Sequence, residues 1–270
     1  MGMKLFGGAV VVVATALLST SAALASTLRY QSGFEPSEGF SIGNLIGQHG
    51  WEQADGAPPA VDSLVQNGVV RPVSGGLQAV QLRTNGPSID PNANFTDVWT
   101  VASGVTPAQT ALEPLVTIQW DMMRGPITGS QSPTALWGID IFDSGASNIA
   151  ASIGAYDDDL GPAIAATDAG GNFVFLGDGS ARGTWDSYSV TINYLTRKYT
   201  VSLNGVQLGA AQSLYFGANN GINDVDFLAL TRGKDSAYFD NLSVTTSAVP
   251  EPAAIGIVAL AGIGLFRKRR

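Results

Sequence analysis

Residues 185–208 read WDSYSVTINYLTRKYTVSLNGVQL. Over 188–194, apolar side chains recur at every second position with Ser, Thr and Asn between them, which is the period of a half-buried strand. The alternation resumes over 198–203, and Asn204 and Gly205 follow directly. Because both of these residues tolerate positive φ, an Asn-Gly pair between alternating runs predicts a β-hairpin.

Similar strand signals are spread over the body of the chain, residues 26–246. They fall at 77–83, 115–122, 135–142, 148–156, 173–176, 224–231 and 237–245. No long segment holds the 3.6-residue period of a helix, and 33 Gly and 13 Pro make turns frequent. Many short strands with Gly-rich turns predict an all-β, two-sheet antiparallel β-sandwich of the jelly-roll type.

Three stretches of this body resemble concanavalin A-like and laminin G-like jelly rolls. The segment 185–205, in which Trp opens one strand and Leu-Asn-Gly ends its partner, resembles their late hairpin. Gly33-Phe34-Glu35 and the segment 238–244 resemble the first and last strands of such jelly rolls and of related carbohydrate-binding modules. The resemblance implies a fold, but a fold by itself does not assign a function.

The first 25 residues have the three parts of a secretory signal peptide. Lys4 supplies a positive charge, an apolar run follows over 5–18, and Ala23-Leu24-Ala25 matches the small-x-small cleavage rule. We therefore expect a signal helix, export by the Sec machinery, and cleavage by signal peptidase between Ala25 and Ser26. An uncleaved anchor helix is the alternative.

The tail, residues 247–270, predicts a transmembrane helix. The segment 253–266 is wholly apolar or glycine and would span roughly 21 Å as a helix. That is short of a bilayer core of about 30 Å, but snorkelling side chains and local thinning can close the gap. The basic cluster Arg267, Lys268, Arg269 and Arg270 is expected to stay on the cytoplasmic side, which leaves the body outside the inner membrane.

This tail resembles the PEP-CTERM sorting signal of Gram-negative bacteria. The match consists of Val249, Pro250, Glu251 and Pro252, then the apolar span, then the basic cluster. The resemblance implies recognition by an exosortase, a transient inner-membrane anchor, and release to the cell surface or the extracellular matrix, where such proteins are associated with polysaccharide. An ordinary C-terminal anchor would share the span and the charges without needing Pro-Glu-Pro.

Composition excludes several classes of protein. The net charge is −8, and five of the 14 basic residues lie in the two ends, so the body is more acidic still. Such a body repels phosphate backbones, which argues against nucleic acid as a partner. With no Cys, an exported fold has no disulfides and must rest on apolar packing, with or without a bound ion.

One stretch resembles a catalytic motif. Residues 138–143, GIDIFD, resemble the Glu-x-Asp-x-x-Glu strand of a jelly-roll glycosidase family. Gly138 stands at the nucleophile position and Asp143 at the acid position, with Asp140 between them. Because glycine cannot attack an anomeric carbon, we predict no catalytic residue, no glycoside hydrolysis and a non-enzymatic protein.

Other residues of chemical interest favour structural roles. His49 is the single histidine, so a His-rich zinc site is excluded, and we expect it to pack beside Trp51 in a loop. The acidic run 157–159 lacks the glutamate that an EF-hand needs, which favours a solvated turn. The five tryptophans could stack on sugars, although in a sandwich they more often fill the core.

Glu35 and Asp240 are the candidate metal ligands. Asp240 shares the parity of Leu242 and Val244 in the last strand, so it should point inward, where an unpaired carboxylate is costly. In related sugar-binding modules, a Glu after Phe and an Asp in the last strand share a calcium ion, so the resemblance implies a structural calcium here. Alternatively, Asp240 caps a turn or pairs with Arg29 or Arg232.

Taken together, these features favour an exported surface or matrix protein that binds polysaccharide without acting on it. Two alternatives stay open. One is a divergent glycan-active enzyme, which should show converging carboxylates in a groove. The other is a purely structural envelope protein, which should show neither carboxylates nor exposed aromatic residues there.

Overall fold

The computed structural model describes residues 25–53, 63–72, 76–83, 95–126, 135–146, 148–158, 161–230 and 236–249. Sixteen strands occur among these residues. In chain order they are β1 (Thr27–Ser32), β2 (Gly43–Asn44), β3 (Glu52–Gln53), β4 (Ser63–Gln66), β5 (Ala79–Arg83), β6 (Phe95–Thr100), β7 (Leu115–Arg124), β8 (Ala135–Asp143), β9 (Ile149–Asp158), β10 (Gly161–Thr167), β11 (Phe173–Asp178), β12 (Trp185–Asn193), β13 (Lys198–Leu203), β14 (Val206–Ser213), β15 (Ile222–Leu230) and β16 (Ser236–Ser247).

The strands form two antiparallel sheets. Sheet A has nine strands in the order β14-β13-β12-β7-β16-β5-β4-β2, and β1 pairs with β16 as well. Sheet B has seven, in the order β11-β10-β9-β8-β15-β6-β3. The predicted all-β two-sheet sandwich is confirmed, and strand pairs distant in sequence, such as β7 with β16, are consistent with a jelly roll.

Helical structure is confined to short segments in the described part of the chain. An α-helix, α1 (Pro107–Leu112), begins at Thr106, whose hydroxyl accepts from Gln109 N–H, and 3-10 turns cover Pro36–Glu38 and Val101–Ser103. No described helix is long and apolar enough to cross a membrane. The predicted signal helix before residue 25 and the predicted span at 253–266 both lie outside the described residues.

The core lies between the sheets, because alternation sends one face of each strand inward. Strand β7 contributes Val116, Ile118, Trp120 and Met122, and β8 contributes Trp137, Ile139 and Ile141, all at most 1% exposed. Burying each such large side chain stabilises the fold by about 1.5–3 kcal/mol. In β15, Phe227 stacks on Trp51 and on Phe239, with ring centroids 5.3 and 4.4 Å away, and so joins a loop to both sheets.

The segment 185–208 folds as its pattern predicts. Tyr188 pairs with Leu203 across β12 and β13, and Leu203 pairs with Val206 across β13 and β14. At the tight turn, Asn204 has φ 51° and Gly205 has φ 80°, which are the positive angles that this hairpin turn requires.

Candidate functional site

Several acidic side chains lie on the outer face of sheet B, the face that points away from the core between the two sheets. In β15, Val225 and Phe227 are fully buried toward the core, so Asp224 and Asp226 lie on the opposite face. In β8, Ile139 and Ile141 are buried in the core, so Asp140 between them lies on the same outer face. Asp226 stands directly opposite Asp140 in the β15–β8 register, which brings two carboxyls from distant sequence together.

Strand register extends this pair into a row across the sheet, which we call the cross-strand row. Asp140 pairs with Ser152 of β9, and Ser152 N–H donates to Oγ1 of Thr167 in β10 at 2.9 Å. Thr167 in turn pairs with Phe173 of β11, at the edge of the sheet. The row therefore begins at carboxyls, passes two hydroxyls and ends at an aromatic ring.

A cleft of about 580 Å³ opens over this row. Its described lining is Leu136, Asp140, Phe142, Asn148, Ile149, Ser152, Thr167, Gly171, Phe173, Tyr215 and Leu228. Three aromatic rings and several neutral polar groups around one carboxyl are a composition typical of small-molecule and sugar sites. Asp226, on the neighbouring strand β15, is not part of the described lining.

Four buried carboxyls make up what we call the carboxyl cluster: Asp97, Asp140, Asp224 and Asp226, each at most 5% exposed. The Asp226 carboxyl is in hydrogen-bond contact with those of Asp97 and Asp224. Two carboxyls can share such a bond only if one of them holds a proton, because two carboxylates repel and offer no donor. In Asp97, Asp140 and Asp226, the Oδ1 atom has no hydrogen-bond partner.

Burial controls how these groups ionise. It is the main reason that the pKa of Asp226 lies far above its usual range, and the charges of Asp97 and Asp224 raise it further. Burial also raises the pKa of Asp140 to about 6, and a hydrogen bond from Ser152 partly opposes that rise. Asp140 is therefore a cleft-lining carboxyl that gains and loses its proton near neutral pH.

The ion pairs among the described residues involve none of the residues that line the cleft. The four described ion pairs join Arg29 to Glu113, Arg71 to Asp121, and both Arg124 and Arg182 to Asp157. Asp157 thus anchors two arginines, which corrects the prediction of a merely solvated turn there. Among the described residues, no group of three or more His, Asp or Glu side chains is arranged to hold a metal ion.

Of the three residues that resemble the glycosidase motif, Gly138, Asp140 and Asp143, only Asp140 is in the described lining of the cleft. Asp140 faces the cleft, but Asp143 is fully buried and accepts from Gly145 N–H, Asn219 N–H and the Asn148 side-chain amide, so it organises a turn. A side chain at Gly138 would collide with the carbonyl of Ile153. The nearest carboxyl in the strand register, Asp226 of β15, is not part of the cleft lining.

Glu35 and Asp240 lie near one another on another part of the sandwich. Asp240 is fully buried, its Oδ2 has no hydrogen-bond partner, and burial raises its pKa to about 8, with smaller contributions from the charges of Asp121 and Glu35. Glu35 accepts from the N–H groups of Leu77 at 2.9 Å and Gln78 at 3.2 Å. A shared calcium ion at these residues stays a prediction.

The remaining predicted residues fall as follows. His49 is exposed, and its ring centroid lies 4.4 Å from that of Phe40. Trp51, Trp120 and Trp137 are at most 1% exposed, so they fill the core. Ala25, Ser26 and Val249 are described, whereas Ala23, Pro250–Pro252 and the basic cluster lie outside the described residues.

The chain is similar to known proteins in its structure. No family model and no curated protein matches the chain. Among solved structures, the cellulose-induced protein Cip1 has a TM-score of 0.52 at 12% identity, over 82% of this chain and 98% of that one. The globular domain of T. cruzi calreticulin has 0.52 at 9%, over 81% and 87%. A sialidase has 0.51 at 12%, over 77% of this chain but only 18% of its own length.

These likenesses show a shared fold, and one of them corrects a prediction. The expectation that the protein is not an enzyme is wrong as an exclusion, because the same sandwich forms part of a sialidase and the fold therefore does not rule out catalysis. That expectation depended on a glycine in one strand, and it overlooked the carboxyls that other strands bring to the same face.

Proposed function

We propose that the body is a glycan-active enzyme in which Asp140 transfers the proton during cleavage of a glycosidic bond. One observation carries the proposal: a carboxyl whose pKa is raised to about 6 by burial lines a cleft with three aromatic rings. A general acid or base is most effective when its pKa is near the working pH.

The roles of the carboxyls follow from their positions. Asp140, in its acid form, donates a proton to the leaving glycosidic oxygen. Water then adds to the anomeric carbon, and a proton from that water restores the acid form of Asp140, so the net reaction is hydrolysis. Asp226, opposite Asp140 in the strand register, holds a proton of its own. Because it is neutral, it adds no charge that would drive the pKa of Asp140 still higher.

The location of this activity follows from the two ends of the chain. We infer that Ala23, Ala25 and Ser26 form the signal-peptidase site and that the Sec machinery exports the body. The tail, with Val249–Pro252 and Arg267–Arg270, would hold it at the inner membrane until an exosortase releases it to the cell surface or matrix. Extracellular polysaccharide would then be the available substrate. A calcium ion at Glu35 and Asp240 would serve stability, away from the cleft.

The direct test is a polysaccharide panel assayed for new reducing ends, with the full chain and with Asp140→Asn. We expect cleavage of at least one polysaccharide by the wild type and a loss of at least about 100-fold in Asp140→Asn. Asp178→Asn is the matched control, because Asp178 is an exposed aspartate of the same sheet outside the cleft. Equal turnover by wild type and Asp140→Asn would refute the assignment.

A further inference from the structure

The charge of the cleft lining favours neutral glycans over anionic ones. Asp140 is the one charged residue of the described lining, and the other polar groups there, including Asn148, Ser152 and Thr167, are neutral. A sugar carboxylate or sulfate would meet a carboxyl here, with no basic side chain in the described lining to balance it. Uncharged sugar rings would meet hydroxyl and amide groups, which can both donate and accept hydrogen bonds.

The length of the cross-strand row sets a minimum size for the ligand. From Asp140 on β8 to Phe173 on β11, the row crosses three strand spacings of about 4.8 Å, which gives about 14 Å. A single sugar ring is shorter than this. A ligand that reaches both the carboxyl and the aromatic ring must therefore be a chain of several sugars that runs across the strands.

The far end of the row is an aromatic surface formed by Phe173 and Tyr215. Phe173 is 52% exposed although it is a large apolar residue. It follows a tight turn in which the N–H groups of Gly170 and Asn172 donate to Oδ1 of Asp168, at 2.8 and 2.9 Å. Tyr215 is held by its N–H, which donates to Ala150 O at 3.0 Å, and its ring lies 3.5 Å from where a side chain at Gly171 would begin.

We propose that Phe173 and Tyr215 form a stacking subsite for a neutral polysaccharide whose chain runs along the cross-strand row toward Asp140. Aromatic rings bind the apolar faces of sugars because those faces lose water on stacking, and a preformed ring loses little entropy on binding. The direction of the chain rests on the function proposed above, whereas the stacking itself does not.

Binding without turnover tests this subsite. The full chain carrying Asp140→Asn is titrated with neutral β-glucan, xylan and mannan, and with alginate and polygalacturonate as anionic polymers, by calorimetry and by retardation in polysaccharide gels. We expect binding of a neutral polymer and a loss of about tenfold in affinity when Phe173→Ala is added. Phe175→Ala is the matched control, since Phe175 is an exposed phenylalanine of the same strand that does not line the cleft.

The outcomes separate the two proposals. Unchanged affinity in Phe173→Ala, an equal loss in Phe175→Ala, tighter binding of the anionic polymers, or no binding of any polymer overturns the subsite. If Phe173→Ala weakens binding but Asp140→Asn does not reduce turnover, the subsite stands and the catalytic role of Asp140 falls. If Asp140→Asn abolishes turnover while Phe173→Ala changes neither affinity nor KM, the subsite falls and the catalytic proposal stands.

Discussion

Replacing Asp140 by Asn should stabilise the protein at neutral pH while it abolishes activity. Burial raises the pKa of Asp140 from 3.8 to about 6, so the folded state holds this proton more tightly than the unfolded chain does. A raised pKa stabilises the fold below about pH 4, and that contribution is lost as the pH rises through 6. At 1.36 kcal/mol per pH unit, the cost of ionising the buried group reaches at most about 3 kcal/mol at pH 7.

Asn has nearly the shape of the protonated acid but does not ionise, so it avoids this cost. Urea unfolding of wild type, Asp140→Asn and Asp178→Asn, at half-unit steps from pH 4 to pH 7.5, measures the difference. We expect Asp140→Asn to match the wild type near pH 4 and to exceed its free energy of unfolding by about 1–3 kcal/mol above pH 6.5. The exposed Asp178 should show no such trend. A variant that is no more stable than wild type at pH 7 would refute the buried, ionising carboxyl.

Three further predictions concern the rest of the chain. If Glu35 and Asp240 share calcium, chelator should lower the thermal midpoint and Asp240→Ala should remove the difference, whereas an unchanged midpoint after verified metal removal means that no such ion binds. Protein sequencing of the exported chain should begin at Ser26 or within a residue or two, and a retained Met1 would exclude the signal peptide. In a host with an exosortase, mass spectrometry should find surface protein that lacks the segment from about Val249 onward, and an intact Arg270 would contradict the sorting assignment.

The sequence predicts the fold because apolar and polar residues alternate along its strands and because its turns carry recognisable turn residues. In 188–194, Tyr and aliphatic residues alternate with Ser, Thr and Asn, and this period allows just one buried face. The Asn204-Gly205 turn fixes the hairpin register within a few residues of chain. Both features are local, so no knowledge of the distant partner strands was required.

The candidate site was not readable in the same way, because its members meet only through strand pairing. Asp140 was recognised from a motif within β8, but its partner Asp226 lies in β15 and becomes its neighbour through the sheet. A signal for it existed in Asp224-Val225-Asp226, where two acids alternate with a core residue in a predicted strand. The absence of a nucleophile at Gly138 was not sufficient ground to predict a non-enzymatic protein, because neighbouring strands contribute further carboxyls to the same face of the sheet.

In the proposed function, Asp140 transfers a proton to or from a glycan in the cleft. The most direct measurement is the pH dependence of kcat/KM, from pH 4 to pH 8, on the polysaccharide that the panel identifies, since kcat/KM reports ionisations of the free enzyme. We expect a profile that falls above an apparent pKa of about 6 in the wild type and in Asp178→Asn, with no measurable activity in Asp140→Asn. A profile that is flat between pH 5 and pH 7, or one that Asp140→Asn leaves unchanged, would contradict it.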